Sequence, residues 1–150
     1  MRGVILAVAA AALLATPALA SDKTDVMATV SKYNADFNKG DVNSMVAACA
    51  PNTFIIDDFA PYSWQSANTC ADWAAALIAS DQKDGITNEA VTLGKPWHIS
   101  VTGDRGYAVY PTHYSYKLKG KPVTERGVWT FALQKLDGVW RVKAWSWAQR

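Results

Sequence analysis

Residues 30–61 read VSKYNADFNKGDVNSMVAACAPNTFIIDDFAP, and this stretch decides the fold. Its first part continues an apolar spacing that begins upstream. Val26, Val30, Tyr33 and Phe37 lie on one face of an amphipathic helix expected over 22–38. Gly40 suits the residue just past a helix end, and Asp41 can cap a short second helix through about Ala48. Pro51 and Asn52 close that helix. The run from Thr53 to Ile56 then reads as a buried strand that ends in two adjacent acids, Asp57 and Asp58. A buried carboxylate is costly unless it is paired or put to use. Two of them at a strand end mark a candidate site.

Downstream, residues 66–80 form a third expected helix. Thr69 and Asp72 have capping-box spacing, and Cys70, Trp73, Ala74 and Leu77 make an apolar stripe. After Gly85 the pattern changes to strands, expected at about 89–102, 106–118, 122–136 and 139–148. Asp137-Gly138 between the last two is a hairpin signal. Three helices followed by long hairpins describe an α+β domain with the helices on one face of the sheet. Pro111 implies an edge position or a bulge in the second long strand. By strict alternation Trp140, Val142, Ala144 and Ser146 share one face of the last strand. Arg141, Lys143, Trp145 and Trp147 share the other. A face with two tryptophans among charges suggests a homodimer interface through Trp145 and Trp147.

Upstream, Arg2, an apolar run over 4–14, Pro17 and Ala18-Leu19-Ala20 have the layout of a secretory leader. That assigns 1–20 to a signal peptide and 21–150 to one domain, periplasmic or secreted. The formal net charge is +2, one unit of it from Arg2, and no basic run stands out. There is no electrostatic footprint for nucleic acid and no second apolar segment for a membrane. Cys49 and Cys70 are the two cysteines. They are either a disulfide, which would close a loop worth roughly 3 kcal/mol, or two small buried residues.

Titratable candidates are few. His98 and His113 are the two histidines, and the sequence has no nucleophile elbow, phosphate loop or metal-ligand spacing. No cofactor or metal is expected.

Residues 30–57 resemble the N-terminal unit of the nuclear-transport-factor-2-like superfamily, which includes ketosteroid isomerase and the SnoaL-like polyketide cyclases. The shared features are an aromatic-bearing helix ending in N-x-G-D, a short second helix, and a strand ending in an acid. Residues 127–146, GVWTFALQKLDGVWRVKAWS, are similar to the last hairpin of that superfamily. The resemblance implies a cone-shaped fold, three N-terminal helices packed on a strongly curved, mostly antiparallel sheet. It also implies an isomerase- or cyclase-type site, with Asp57 as proton shuttle and Tyr33 as oxyanion donor. Asp58 would then lie outward or at the turn. The second oxyanion donor of the isomerase, a protonated aspartate, is replaced by Trp129. Glu125 shares parity with Trp129 but lies about 13 Å along the strand, too far to substitute. The cavity walls would include Trp73, Leu77, Trp129 and Val142. A dehydratase similar to scytalone dehydratase would instead use His98 and His113.

Three readings follow: a proton-transfer enzyme acting on a small apolar molecule, a non-catalytic pocket for a hydrophobic ligand, or a dimeric interaction module. The leader generates the first prediction. N-terminal sequencing of exported material should begin at Ser21, and recovery of residues before Ala18 would contradict cleavage there.

Overall fold

The structure, a computed structural model, describes residues 16–150, with side chains from residue 21. Most of the expected leader lies outside the described residues. Helix α1 (Thr16–Lys39) begins earlier than expected and carries Val26, Val30 and Tyr33 fully buried on its inner face. Gly40, at φ +68°, ends it, and Asp41 caps α2 (Val42–Ala48) by accepting from the Ser44 backbone N–H at 3.0 Å. Strand β1 (Cys49–Ile56) follows at once and pairs with a short strand, β2 (Ser63–Gln65), absent from the sequence expectation.

Helix α3 (Thr69–Asp84) starts and ends later than expected. Its N-cap is Asn68, which makes no side-chain cap bond. Thr69 instead accepts from Ser66 N–H at 2.7 Å. The strand expected over 89–102 divides into β3 (Ile86–Leu93) and β4 (His98–Thr102), because Gly94, Lys95 and Pro96 interrupt the pairing. Then come β5 (Arg105–Leu118), β6 (Lys121–Leu136) and β7 (Val139–Gln149).

The seven strands form one mixed sheet in the order β2-β1-β7-β6-β5-β3, with β4 also paired to β5. Only β1 and β7 run parallel to each other. Pro111 is not at an edge: β5 is interior. Its residue falls in the gap where β4 has ended, at Val109, and β3 has not begun, at Thr112, so no neighbouring strand needs its missing N–H. The three helices cover the inner face of the sheet, and the core lies between them around Tyr33, Ile55, Phe131, Leu133 and Val142.

Cys49 and Cys70 form a disulfide, with Cα atoms 6.7 Å apart. It ties the start of β1 to the first turn of α3.

The last strand departs from strict alternation. Leu133 pairs with Val142 but Ala132 pairs with Ala144, which leaves Lys143 as an extra residue. One inserted residue reverses the parity of everything beyond it. Trp140 and Val142 face the core, and so do Trp145 and Trp147, at 3% and 9% exposure. The expected dimer face through Trp145 and Trp147 therefore does not exist: both rings are interior and unavailable to a partner. Lys143 Nζ holds the bulge by donating to the carbonyls of Pro51 (2.6 Å) and Asn52 (3.0 Å). There β1 has its own irregularity, with Asn52 at φ +53°. Thr53 Oγ1 donates to the Val142 carbonyl at 3.0 Å from the other side.

Trp147 lies directly over Gly127, where a Cβ would stand 2.5 Å from its Cε2 and 2.7 Å from its Nε1. Gly127→Ala should therefore displace this indole and lower stability by about 1–3 kcal/mol, the usual cost of overpacking. Urea denaturation of the two proteins measures it; an unchanged midpoint would contradict the packing.

Candidate functional site

A cavity of about 240 Å³ opens between α1, α3, the end of β1 and the inner face of β5, β6 and β7. Its apolar walls are Phe37, Phe59, Trp73, Leu77, Trp129 and the inward pair Trp145 and Trp147. The rings pack edge to face: Trp73 meets Trp145 at 4.9 Å and 89°, and Trp129 meets Trp145 at 5.6 Å and 84°.

Asp57 enters from the end of β1. Thr53 and Ile55 precede it on the buried side of the strand, and alternation carries Asp57 the same way. One carboxylate oxygen accepts from Trp73 Nε1 at 2.9 Å, and the other accepts from the Asp58 backbone N–H at 2.9 Å. Burial dominates all the same, and with the Asp58 charge beside it the carboxyl is raised to about 6. A carboxyl poised there can take a proton and return it near neutral pH.

Asp58 sits at the turn, one of its two expected placements, and is exposed. The strand ends at Ile56, so alternation no longer governs the next residue, and the chain turns back with Asp57 N–H donating to the Tyr62 carbonyl at 3.2 Å. Asp58 reaches the same cavity, its carboxyl raised by burial and then by the charge of Glu125. Glu125 also lines the cavity and accepts from Tyr116 Oη at 2.8 Å. Distance along β6 separates Glu125 from Trp129, but the curved sheet brings both to one hollow.

A further acidic group comes from α3 and β3. Asp81 and Asp84 line the opening, and Tyr114 Oη donates to Glu89. The register of β3 shifts between Thr87 and Ala90, with Asn88 at φ +60°, and this irregularity sets Glu89 against β5. Asp81 is pushed well up, by burial first and then by Glu89 facing it. The helix side of the opening is fixed by Asn38, which accepts from Val91 N–H at 2.8 Å and donates to the Val91 carbonyl at 2.9 Å.

The structure thus gathers Asp57, Trp73, Leu77 and Trp129 of the expected site in one cavity. Tyr33 and Val142 stay behind the wall. Tyr33 is fully buried, and its hydroxyl accepts from Trp145 Nε1 at 3.1 Å, so the indole stands between it and the cavity. Burial raises its hydroxyl above the ordinary range. His98 and His113 are exposed: His98 is in β4 and packs near Tyr107, and His113 points outward from β5, the neighbouring Thr112 being the buried one. Neither reaches the cavity, so the histidine dehydratase arrangement has no geometry here. Asp58, Asp81, Asp84 and Glu125 were not expected in the site. For Glu125 the matching parity with Trp129 was the available signal. The others depend on a turn and on helix placement.

Among the described residues no group of three or more His, Cys, Asp or Glu side chains is arranged to hold a metal ion.

No family model matches the chain, and no curated protein matches it. Solved structures do. A ketosteroid isomerase-like protein from Erwinia carotovora atroseptica is 14% identical, with a TM-score of 0.69 over 89% of this chain and 97% of the other. A hexachlorocyclohexane dehydrochlorinase from Novosphingobium barchaimii is 10% identical, with a TM-score of 0.74 over 87% and 88%. A nuclear-transport-factor-2-like protein with a cystatin-like fold from Novosphingobium aromaticivorans is 16% identical, with a TM-score of 0.70 over 88% and 84%. With the element order and curved sheet above, these likenesses show that the chain has the nuclear-transport-factor-2-like fold. At such identities they show the fold alone.

The raised carboxyl has a consequence for stability. Asp57 binds its proton more tightly folded, near 6, than unfolded, near 3.8. Its protonated form suits the fold, so its contribution declines as pH rises through that window. The stability of the native protein minus that of Asp57→Asn should fall between about pH 4 and 6 and be flat above. Parallel urea titrations across pH test this; a difference independent of pH would mean that Asp57 is not buried in the cavity.

Proposed function

We propose that this chain is a small-molecule enzyme in which Asp57 acts as general base and acid within the tryptophan-walled cavity. The observation that carries the reading is the Asp57 carboxylate, held by Trp73 and the Asp58 N–H against tryptophan rings, with its proton affinity brought to about 6. Asp57 would remove a proton from carbon beside an electron-withdrawing group and return it to a neighbouring position. The Trp129 indole N–H has no protein partner and is buried in a residue that lines the cavity. It is the candidate donor for the oxygen on which charge develops, the role the sequence had placed on Tyr33. Residues 1–20 would direct the protein to the periplasm or the exterior.

One observation favours a second reading, a non-catalytic binding pocket. The Tyr33 hydroxyl is sealed behind Trp145, so the pair of groups that the fold's isomerase uses does not meet in this cavity.

A neutral probe of base strength separates the two. 5-Nitrobenzisoxazole opens when a base takes its ring C–H proton and the N–O bond breaks, giving a coloured phenolate. The native protein should accelerate this, with a rate that rises with pH and levels off above about 6, because the base works deprotonated. Asp57→Asn should lose about 10²-fold or more, the scale of a general base. A rate that is equal in the two proteins would leave only the binding reading.

A further inference from the structure

The cavity selects for charge as well as for size. Five carboxyl residues line it, Asp57, Asp58, Asp81, Asp84 and Glu125, and no Lys, Arg or His does. The chain as a whole carries a net charge of +2, so this is placement and not composition. Acids brought together inside a protein are ordinarily paired with a basic side chain. Here the ion pairs among the described residues are Lys32 with Asp36, Arg105 with Asp104, and Lys135 with Asp22. None involves a cavity acid. The cavity acids are met by neutral donors and by another acid: Trp73 donates to Asp57, Tyr116 to Glu125, and Asp81 faces Glu89, which accepts from Tyr114 behind the lining. Among the described residues the site lacks a counter-cation from the protein.

The remaining walls have the complementary property. Trp73, Trp129, Trp145, Trp147, Tyr114 and Phe37 surround the space. Tyr114 meets Trp147 at 6.1 Å and 72°, which continues the edge-to-face arrangement of the other indoles. An aromatic ring is negative over its face and attracts ammonium groups, most strongly when water is excluded. Rings and carboxyls thus favour the same sign of ligand by independent means. Size also fits: an apolar cavity of about 150 Å³ takes up benzene, and this one, at about 240 Å³, leaves room for a substituent.

We propose that the cavity binds an organic cation, an amine or quaternary ammonium group carried on a small apolar body. The ammonium group lies toward Asp58, Asp81 and Glu125, and the body lies among the tryptophans. The inference rests on the cavity being the substrate site, as above, but not on Asp57 performing proton transfer.

Tryptophan fluorescence titration of the full chain tests it with three benzyl probes, two of them isosteric. Benzyltrimethylammonium is the cation, neopentylbenzene its neutral carbon isostere, and phenylacetate an anion. The cation should bind at least tenfold tighter than the isostere, and the anion should not bind measurably. Glu125→Gln and Asp58→Asn should each weaken the cation severalfold and leave the isostere unchanged. Benzyltrimethylammonium should also inhibit the nitrobenzisoxazole reaction competitively, which places it in this cavity. Equal affinity for cation and isostere overturns the proposal, as does cation binding that neither substitution alters. The two readings fail separately. Asp57-dependent turnover with no preference for the cation leaves proton transfer standing and removes the cation assignment. Cation preference without Asp57-dependent turnover does the reverse.

Discussion

One inserted residue organises the interior. Lys143 bulges from β7, and the strand resumes with its faces exchanged, so that Trp140, Val142, Trp145 and Trp147 all point inward. Without the bulge the two last tryptophans would stand on the outside of the sheet and the cavity would lose two of its walls. The extra residue leaves ladder groups unpaired, and the structure answers locally. The Lys143 ammonium takes the carbonyls of Pro51 and Asn52, and Thr53 takes the carbonyl of Val142. The carbonyls of Pro51 and Asn52 belong to the irregular part of β1. The two distortions therefore lie side by side and satisfy each other's hydrogen bonds.

The inward tryptophans then decide what the other groups can do. Trp145 donates to Tyr33 and crosses Trp73 at a right angle. Tyr33 is thereby a structural acceptor in the core and not the donor that the sequence resemblance implied. Trp73 is left to donate to Asp57. The indole that closes off the tyrosine thus also backs the carboxylate's wall. Burial of Asp57 against these rings outweighs the two hydrogen bonds that favour its ionised form, and its proton affinity rises toward neutrality.

The other acids gather around the cavity for a different reason. They come from three separate elements, the end of β1, the last turns of α3, and the outer part of β6. Each would be an ordinary solvated residue on an isolated helix or hairpin. The curvature of the sheet and the seating of α3, tied to β1 by Cys49 and Cys70, turn them toward one space. An acidic rim over an aromatic floor gives the cavity a sign that the overall charge of the chain does not suggest.

Local rules carried the sequence reading a long way. The helix spacing of Val26, Val30 and Tyr33, the Asp41 cap and the Asp137-Gly138 hairpin each follow from neighbours a few residues apart, and each is present. Asp57 in the cavity follows from alternation along β1. Alternation failed where the chain stopped being regular: at Lys143, where a bulge reversed it, and at Asp58, where the strand had ended. Neither event is marked by a glycine or proline at the residue itself. The bulge exists because a partner strand ninety residues away offers carbonyls to its lysine, and Glu125 reaches Trp129's cavity because the whole sheet bends. Sequence by itself determined the elements and the acid at the end of the first strand. Tertiary structure alone decided which aromatic rings face inward, that Tyr33 is closed off, and that the acids share one cavity, because those depend on contacts between residues that no local pattern connects.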